Sequence, residues 1–171
     1  HTDHFEERTE AAWPIPRTNW TKLHFQLADG ELSETPDASG SSVSFDALGA
    51  GVTFLTGPVS EDTEITGPSA LKLFASSTTT DADIFAILRV YTPDLQEVVF
   101  QGAIDPHTPI AQGWLRASHR KLDETLTEPY RPYHTHDEIQ PLTPGEAVEL
   151  DVELWPSSIV VPTGYRIALT I

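Results

Sequence analysis

The side chains that could move protons, bind an ion or attack a substrate gather between Gly102 and Gly145, in GAIDPHTPIAQGWLRASHRKLDETLTEPYRPYHTHDEIQPLTPG. Ser118 and His119 are neighbours, but neighbours on a strand point to opposite faces and cannot share the hydrogen bond that activates a nucleophile. His134 and His136 are spaced i, i+2, which on a strand would present two imidazoles to one side. Pro129, Pro132 and Pro141 surround them, so a loop is expected instead. Neutral histidines hydrogen-bonded within that loop are the expected outcome.

Other chemistries fit less well. Metal-binding jelly rolls of the cupin class need a glycine six residues before the first histidine, where Glu128 stands, and a carboxylate four or five after the second, where Gln140 and Pro141 stand. Asp81 and Asp83 supply two carboxylates, too few for Ca²⁺ with its six to eight oxygens, and read as solvated acids of a turn. An α/β-type serine hydrolase needs G-x-S-x-G, because only small flanking residues allow the sharp turn that projects the hydroxyl. The nearest approach, Gly67-Pro68-Ser69-Ala70-Leu71, lacks the second glycine. No catalytic residue, cofactor or metal ligand is therefore assigned. Trp13, Trp20, Trp114 and Trp155 could form a sugar-stacking platform, although large aromatics in a small sandwich more often serve core or interface. Trp155-Pro156 is expected to cap the core.

The elements that must position these groups read as β structure. Residues 20–26 (WTKLHFQ) alternate, and Asp29-Gly30 is a turn signal before a short strand at 31–33. Residues 43–45 read as a short strand leading to a Gly49-Ala50-Gly51 turn, and further apolar segments at 52–55 and 71–75 each lie next to a Gly-Pro pair. Residues 83–91 (DIFAILRVY) are dense in β-branched and aromatic side chains, and a Thr-Pro-Asp turn folds them onto 98–101 as a hairpin. Residues 112–120 alternate, with Trp114, Arg116, Ser118 and Arg120 on one face. The cleanest alternation is 147–154 (AVELDVEL), with Val148, Leu150, Val152 and Leu154 facing one way and Glu149, Asp151 and Glu153 the other. Segments 158–161 and 165–171 complete about ten short strands with almost no helical period. That pattern predicts an all-β antiparallel sandwich of the jelly-roll kind. Residues 1–12 read as a tether and 13–171 as one sandwich domain. The chain stops inside an apolar alternation, so a truncated C-terminus with an exposed edge is expected there.

Composition narrows the partners. A net charge of -16 repels phosphate backbones and anionic lipid, which excludes nucleic acid and membrane surfaces as expected partners. The absence of cysteine rules out disulfide staples and thiolate chemistry.

The block from Gly102 to Gly145, with Trp13-Pro14 near the start and residues 150–171 at the end, closely resembles the C-terminal non-catalytic domain of the X-Pro dipeptidyl-peptidase and cocaine-esterase (CocE/NonD) family of serine hydrolases. The resemblance implies a galactose-binding-like jelly roll and a triad that lies wholly in a separate α/β-hydrolase domain. It also implies a parent enzyme acting on esters, amides or X-Pro peptides, and an accessory role for this chain: packing on the catalytic domain and helping shape its substrate site or oligomer. The residues expected to contact that domain or a ligand are Trp114, Arg116, His119, Arg120, His134 and His136. Arg116 and Arg120 are expected to tie down the loop that follows them. The alternative is a stand-alone module binding carbohydrate or another small polar ligand.

Overall fold

The computed structural model describes residues 4–38 and 40–171. Among them the ordered elements are β1 (His24–Gln26), β2 (Glu31–Ser33), β3 (Thr53–Leu55), β4 (Thr63–Ala75), β5 (Asp83–Tyr91), β6 (Glu97–Val98), β7 (Ala111–Arg116), the 3-10 turn η1 (Ala117–His119), β8 (Val148–Val161) and β9 (Arg166–Thr170). One sheet has the order β1-β2-β3-β9-β5-β6 with β7 also paired to β5, and β4 pairs with β8 in a second. The chain is all-β, with the two sheets of a β-sandwich.

Three expectations need correction. The first sheet is not wholly antiparallel, since β2 and β3 pair in parallel through Glu31 and Leu55. The long connection between them carries the chain back to the same end, as a parallel pair requires. Residues 43–45 form no strand; Val43 and Phe45 are exposed, so no buried face rewards an extended register there. The last strand is no exposed edge, because β9 is hydrogen-bonded to β3 on one side and to β5 on the other.

Two compact units divide the chain, one formed by residues 1–67, 87–111 and 157–171, the other by residues 68–86 and 112–156. The first is built on Val90, Val98, Ile110, Ile159 and Val161, with Leu88, Phe100, Tyr165 and Ile167 packed around them. Each such side chain taken out of water contributes about 1.5–3 kcal/mol, and the β5–β6 hairpin brings two of them together by pairing Val90 with Val98. Phe54, 2% exposed, packs on Phe25 with ring centroids 4.7 Å apart. The terminal ladder closes through Val52 N–H to the Ile171 carbonyl and Ile171 N–H to the Val52 carbonyl, both 2.9 Å. Gly51 must be glycine for that closure: its φ is 71°, and a β carbon would sit 2.2 Å from the Ile171 oxygen.

The second unit buries Leu150, Val152 and Leu154 of β8, Leu115 of β7, Ala86 of β5, Leu71 of β4, and Leu142. Alternation along β8 supplies the first three, while Glu149 and Trp155 stay exposed. The Pro-rich stretch after β7 is a loop, as its prolines dictate, yet it is stitched down by backbone bonds. Gln140 N–H reaches the Ser118 carbonyl, Leu142 N–H the Thr80 carbonyl and Gly145 N–H the Ser77 carbonyl, each at 2.8 Å. Asp123 organises its tip, accepting from the N–H groups of Thr125 and Leu126.

Candidate functional site

Every residue that shapes the site lies in the second unit. β7 does not continue to residue 120 as alternation suggested: it ends at Arg116 and turns through η1. The cause is an anchor distant in sequence. Ala117 N–H donates to the Ala82 carbonyl at 2.8 Å, and Asp81 accepts from Ser118 N–H at 2.9 Å and from Ser118 Oγ at 2.7 Å. Ser118 is thereby buried, 3% exposed, with its hydroxyl proton given to a carboxylate, so it has neither the access nor the base that a nucleophile requires. Asp81 is more than a solvated acid of a turn: partly exposed, it also anchors η1. Its burial favours the neutral form, but the bonds from Ser118 and Ala82 outweigh that and hold its carboxyl below the usual range.

Asp83 takes Arg116 in a bidentate pair, Nε to Oδ1 at 2.8 Å and Nη2 to Oδ2 at 2.9 Å. The hydrogen bond and charge of the guanidinium hold the Asp83 carboxyl below its ordinary value. Arg116 therefore binds β5 rather than the following loop. Arg120 does hold that loop, donating to the Ala117 carbonyl at 3.1 Å and to the Gln140 carbonyl.

The turn at η1 swings His119 to the side of Arg116 and Trp114. An open concavity of about 500 Å³ results, lined by Trp114, Leu115, Arg116, His119, His134 and His136, with Glu153 and Trp155 from β8. Five of the six residues expected from sequence meet there; Arg120 does not. Trp114 and Trp155 form one wall, with ring centroids 5.5 Å apart and planes tilted by 49°. They are 53% and 58% exposed, so Trp155 does not cap the core. Its neighbour Leu154 faces inward, and the same alternation that puts Leu154 in puts Glu153 and Trp155 out. That signal was present in 147–154 and needed only one more residue.

Three histidines line the concavity as well. His119 Nδ1 and His136 Nδ1 are 3.1 Å apart, and the rings of His134 and His136 have centroids 6.0 Å apart. His134 lies near Asp151, and its Nε2 is buried without a partner. Burial, then the charge of His136, pushes the His134 pKa down, against an upward pull from Asp151. Among the described residues no group of three or more His, Cys, Asp or Glu is placed to hold a metal ion.

Comparison with known proteins covers the whole chain. The model of the X-Pro dipeptidyl-peptidase C-terminal non-catalytic domain matches residues 1–171. The chain belongs to that family. Members of the wider CocE/NonD group share its fold: a CocE/NonD family hydrolase of Staphylococcus aureus superimposes with a TM-score of 0.91 at 28% identity, covering 96% of this chain and 30% of that one. An α-amino acid ester hydrolase, at 19% identity and a TM-score of 0.57, shares the fold over 86% of this chain and 27% of its own. Proteins of Mycobacterium bovis and Mycobacterium tuberculosis, named provisionally as serine esterases, are 34% identical over 128 residues, 70% of this chain. This non-catalytic domain spans 18% of the length of those curated relatives.

Proposed function

We propose that this domain serves a CocE/NonD-type serine hydrolase by packing against its α/β-hydrolase domain through the Trp114–Trp155 concavity, where it helps form the wall of the substrate site or a subunit contact. The observation that carries this reading is the pair of half-exposed tryptophans on outward-facing strand positions, in one concavity with three histidines and Glu153. Aromatic side chains in a rigid sheet supply large contact area at small entropic cost, which suits a permanent interface. The domain's jelly roll is of the galactose-binding-like type in this proposal, and the parent enzyme cleaves esters, amides or X-Pro peptides with a serine that lies in the α/β-hydrolase domain.

Two measurements test the reading. The 171-residue chain alone turns over no p-nitrophenyl ester or X-Pro anilide above buffer; turnover blocked by a serine inhibitor would overturn that. In the parent polypeptide, Trp114→Ala with Trp155→Ala splits one calorimetric unfolding transition into two, because the domains no longer stabilise each other. A single unshifted transition counts against docking on this face.

A stand-alone carbohydrate-binding module is the second reading, favoured by hydrogen-bonding His, Arg and Glu side chains beside two exposed, mutually tilted indoles. It predicts saturable sugar binding by the chain alone, lost in Trp155→Ala.

A further inference from the structure

His119 and His136 stand end to end. Their Nδ1 atoms are 3.1 Å apart and their ring centroids 5.3 Å, a difference that two imidazole radii laid along one line account for. That is the geometry of an N–H aimed at a lone pair. A metal ion bound by both nitrogens at about 2.0–2.1 Å would sit off that line and draw the ring centres closer. The contact is a hydrogen bond between imidazoles.

Proton counting then sets what the pair can do. A neutral imidazole has one N–H and one lone pair, whereas an imidazolium has two N–H groups and no acceptor. The contact survives when both rings are neutral and when one of them is charged. It cannot survive a second added proton, which would set two N–H groups against each other at 3.1 Å.

We infer that the His119–His136 pair is a one-proton latch on the wall of the Trp114–Trp155 concavity, closed when at most one ring is charged and open when both are. The ring that moves is that of His136. His119 is held on both flanks, by the Asp81–Ser118 bonds before it and by the Arg120 bond to the Gln140 carbonyl after it. His136 is exposed, and its backbone sits in the left-handed region at φ 52°, a conformation that non-glycine residues seldom adopt and that a surrounding structure must hold. Its backbone neighbours stay in place through Thr135 N–H on the Lys121 carbonyl and Lys121 on Asp137, so the ring turns while the loop remains.

The charged groups around the pair come from β7, the loop and β8. From β7, Arg116 is neutralised by Asp83. In the loop, Lys121 is committed to Asp137 and Glu138, and His134 stands beside His136 in a partly buried, proton-disfavouring position. From β8, Glu153 lines the concavity and is the one carboxylate there that could attract the outgoing imidazolium, while Asp151 lies beside His134. The latch would thus tie the shape of the docking surface to pH. That consequence rests on the docking reading above; the proton sharing does not.

The test is nitrogen-15 NMR of the labelled 171-residue chain. At pH 7.5 a scalar coupling across the hydrogen bond links the two Nδ1 atoms, and it is absent in His136→Gln. Once enough acid has been added to charge both rings, the coupling vanishes and the indole signals of Trp114 and Trp155 shift. In His136→Gln those indole shifts shrink at least severalfold, and His119→Gln gives the same answer if the first variant fails to fold. A pair with no coupling at any pH, or one whose coupling persists with both rings charged, overturns the latch. A parent enzyme whose two tryptophans stay solvent-exposed would overturn docking and leave these NMR results standing.

Discussion

An ideal β carbon on Gly113 would lie 1.8 Å from the carbonyl oxygen of Glu153, so β7 and β8 meet backbone to backbone at that point. Only glycine permits the approach, and it is this contact that brings Trp114 and Trp155, the next residues outward on each strand, within ring-contact distance. Replacement by alanine must push the strands apart. Gly113→Ala should cost about 1–3 kcal/mol of stability, read as a lowered urea midpoint, and should weaken the excitonic circular-dichroism signal of the indole pair. An unchanged midpoint would show that the strands have room to spare.

Asp81 is expected to be the anchor of η1. In Asp81→Ala the buried Ser118 hydroxyl and N–H lose their acceptor, and an unpaired buried group costs about 1–3 kcal/mol. Ser118→Ala removes one bond without stranding the carboxylate, which remains 40% exposed to water, and should cost less. Chemical denaturation of the two variants checks that order; equal or reversed losses would contradict it.

How much of this was readable in the sequence differs from element to element. β5 was legible to the residue, because its density of β-branched and aromatic side chains is a local signal. The inward face of β8 was legible as well. The continuation of β8 through Pro156 to Val161 was not, since a proline reads as a strand stop; it is tolerated because β8 is paired on one side only. η1 was hidden for a different reason. The turn is set by Asp81, 37 residues from Ser118, and no local pattern in 112–120 reports a distant carboxylate. The candidate concavity was half visible: five of its lining residues stand out in the sequence by type, whereas Glu153 and Trp155 join it from a strand whose outward face runs one residue past the alternation of 147–154.

His134 should make stability fall toward acid pH. Its folded pKa lies below the ordinary value of about 6.5, so the unfolded chain binds the proton more readily. The stabilisation is fully present above that value and is lost as pH falls through the lowered folded pKa. Melting temperature measured from pH 8 to pH 5 should thus fall more steeply in the natural chain than in His134→Gln. Parallel curves would show that His134 protonates equally in both states.

Glu64 gives a second, more acidic window. The hydrogen bond from Arg8, followed by that from Thr66, lowers its carboxyl to about 2. Its contribution is present above the ordinary carboxylate range and disappears as pH falls from about 4.5 toward 2. Because both side chains are about 40% exposed, solvent and salt screen the pair and the gain is small. Glu64→Gln should leave the neutral-pH melting temperature nearly unchanged and flatten the acid limb slightly; a large loss at pH 7 would mean the pair is stronger than its exposure allows.

The most direct test of the account is the solvent access of Trp114 and Trp155 in two settings. Hydroxyl-radical footprinting should oxidise both indoles readily in the 171-residue chain, where they are 53% and 58% exposed, and, on the docking proposal, several-fold more slowly in a parent polypeptide that carries the catalytic domain. Equal oxidation in the two settings would contradict the docking of a hydrolase domain on this concavity.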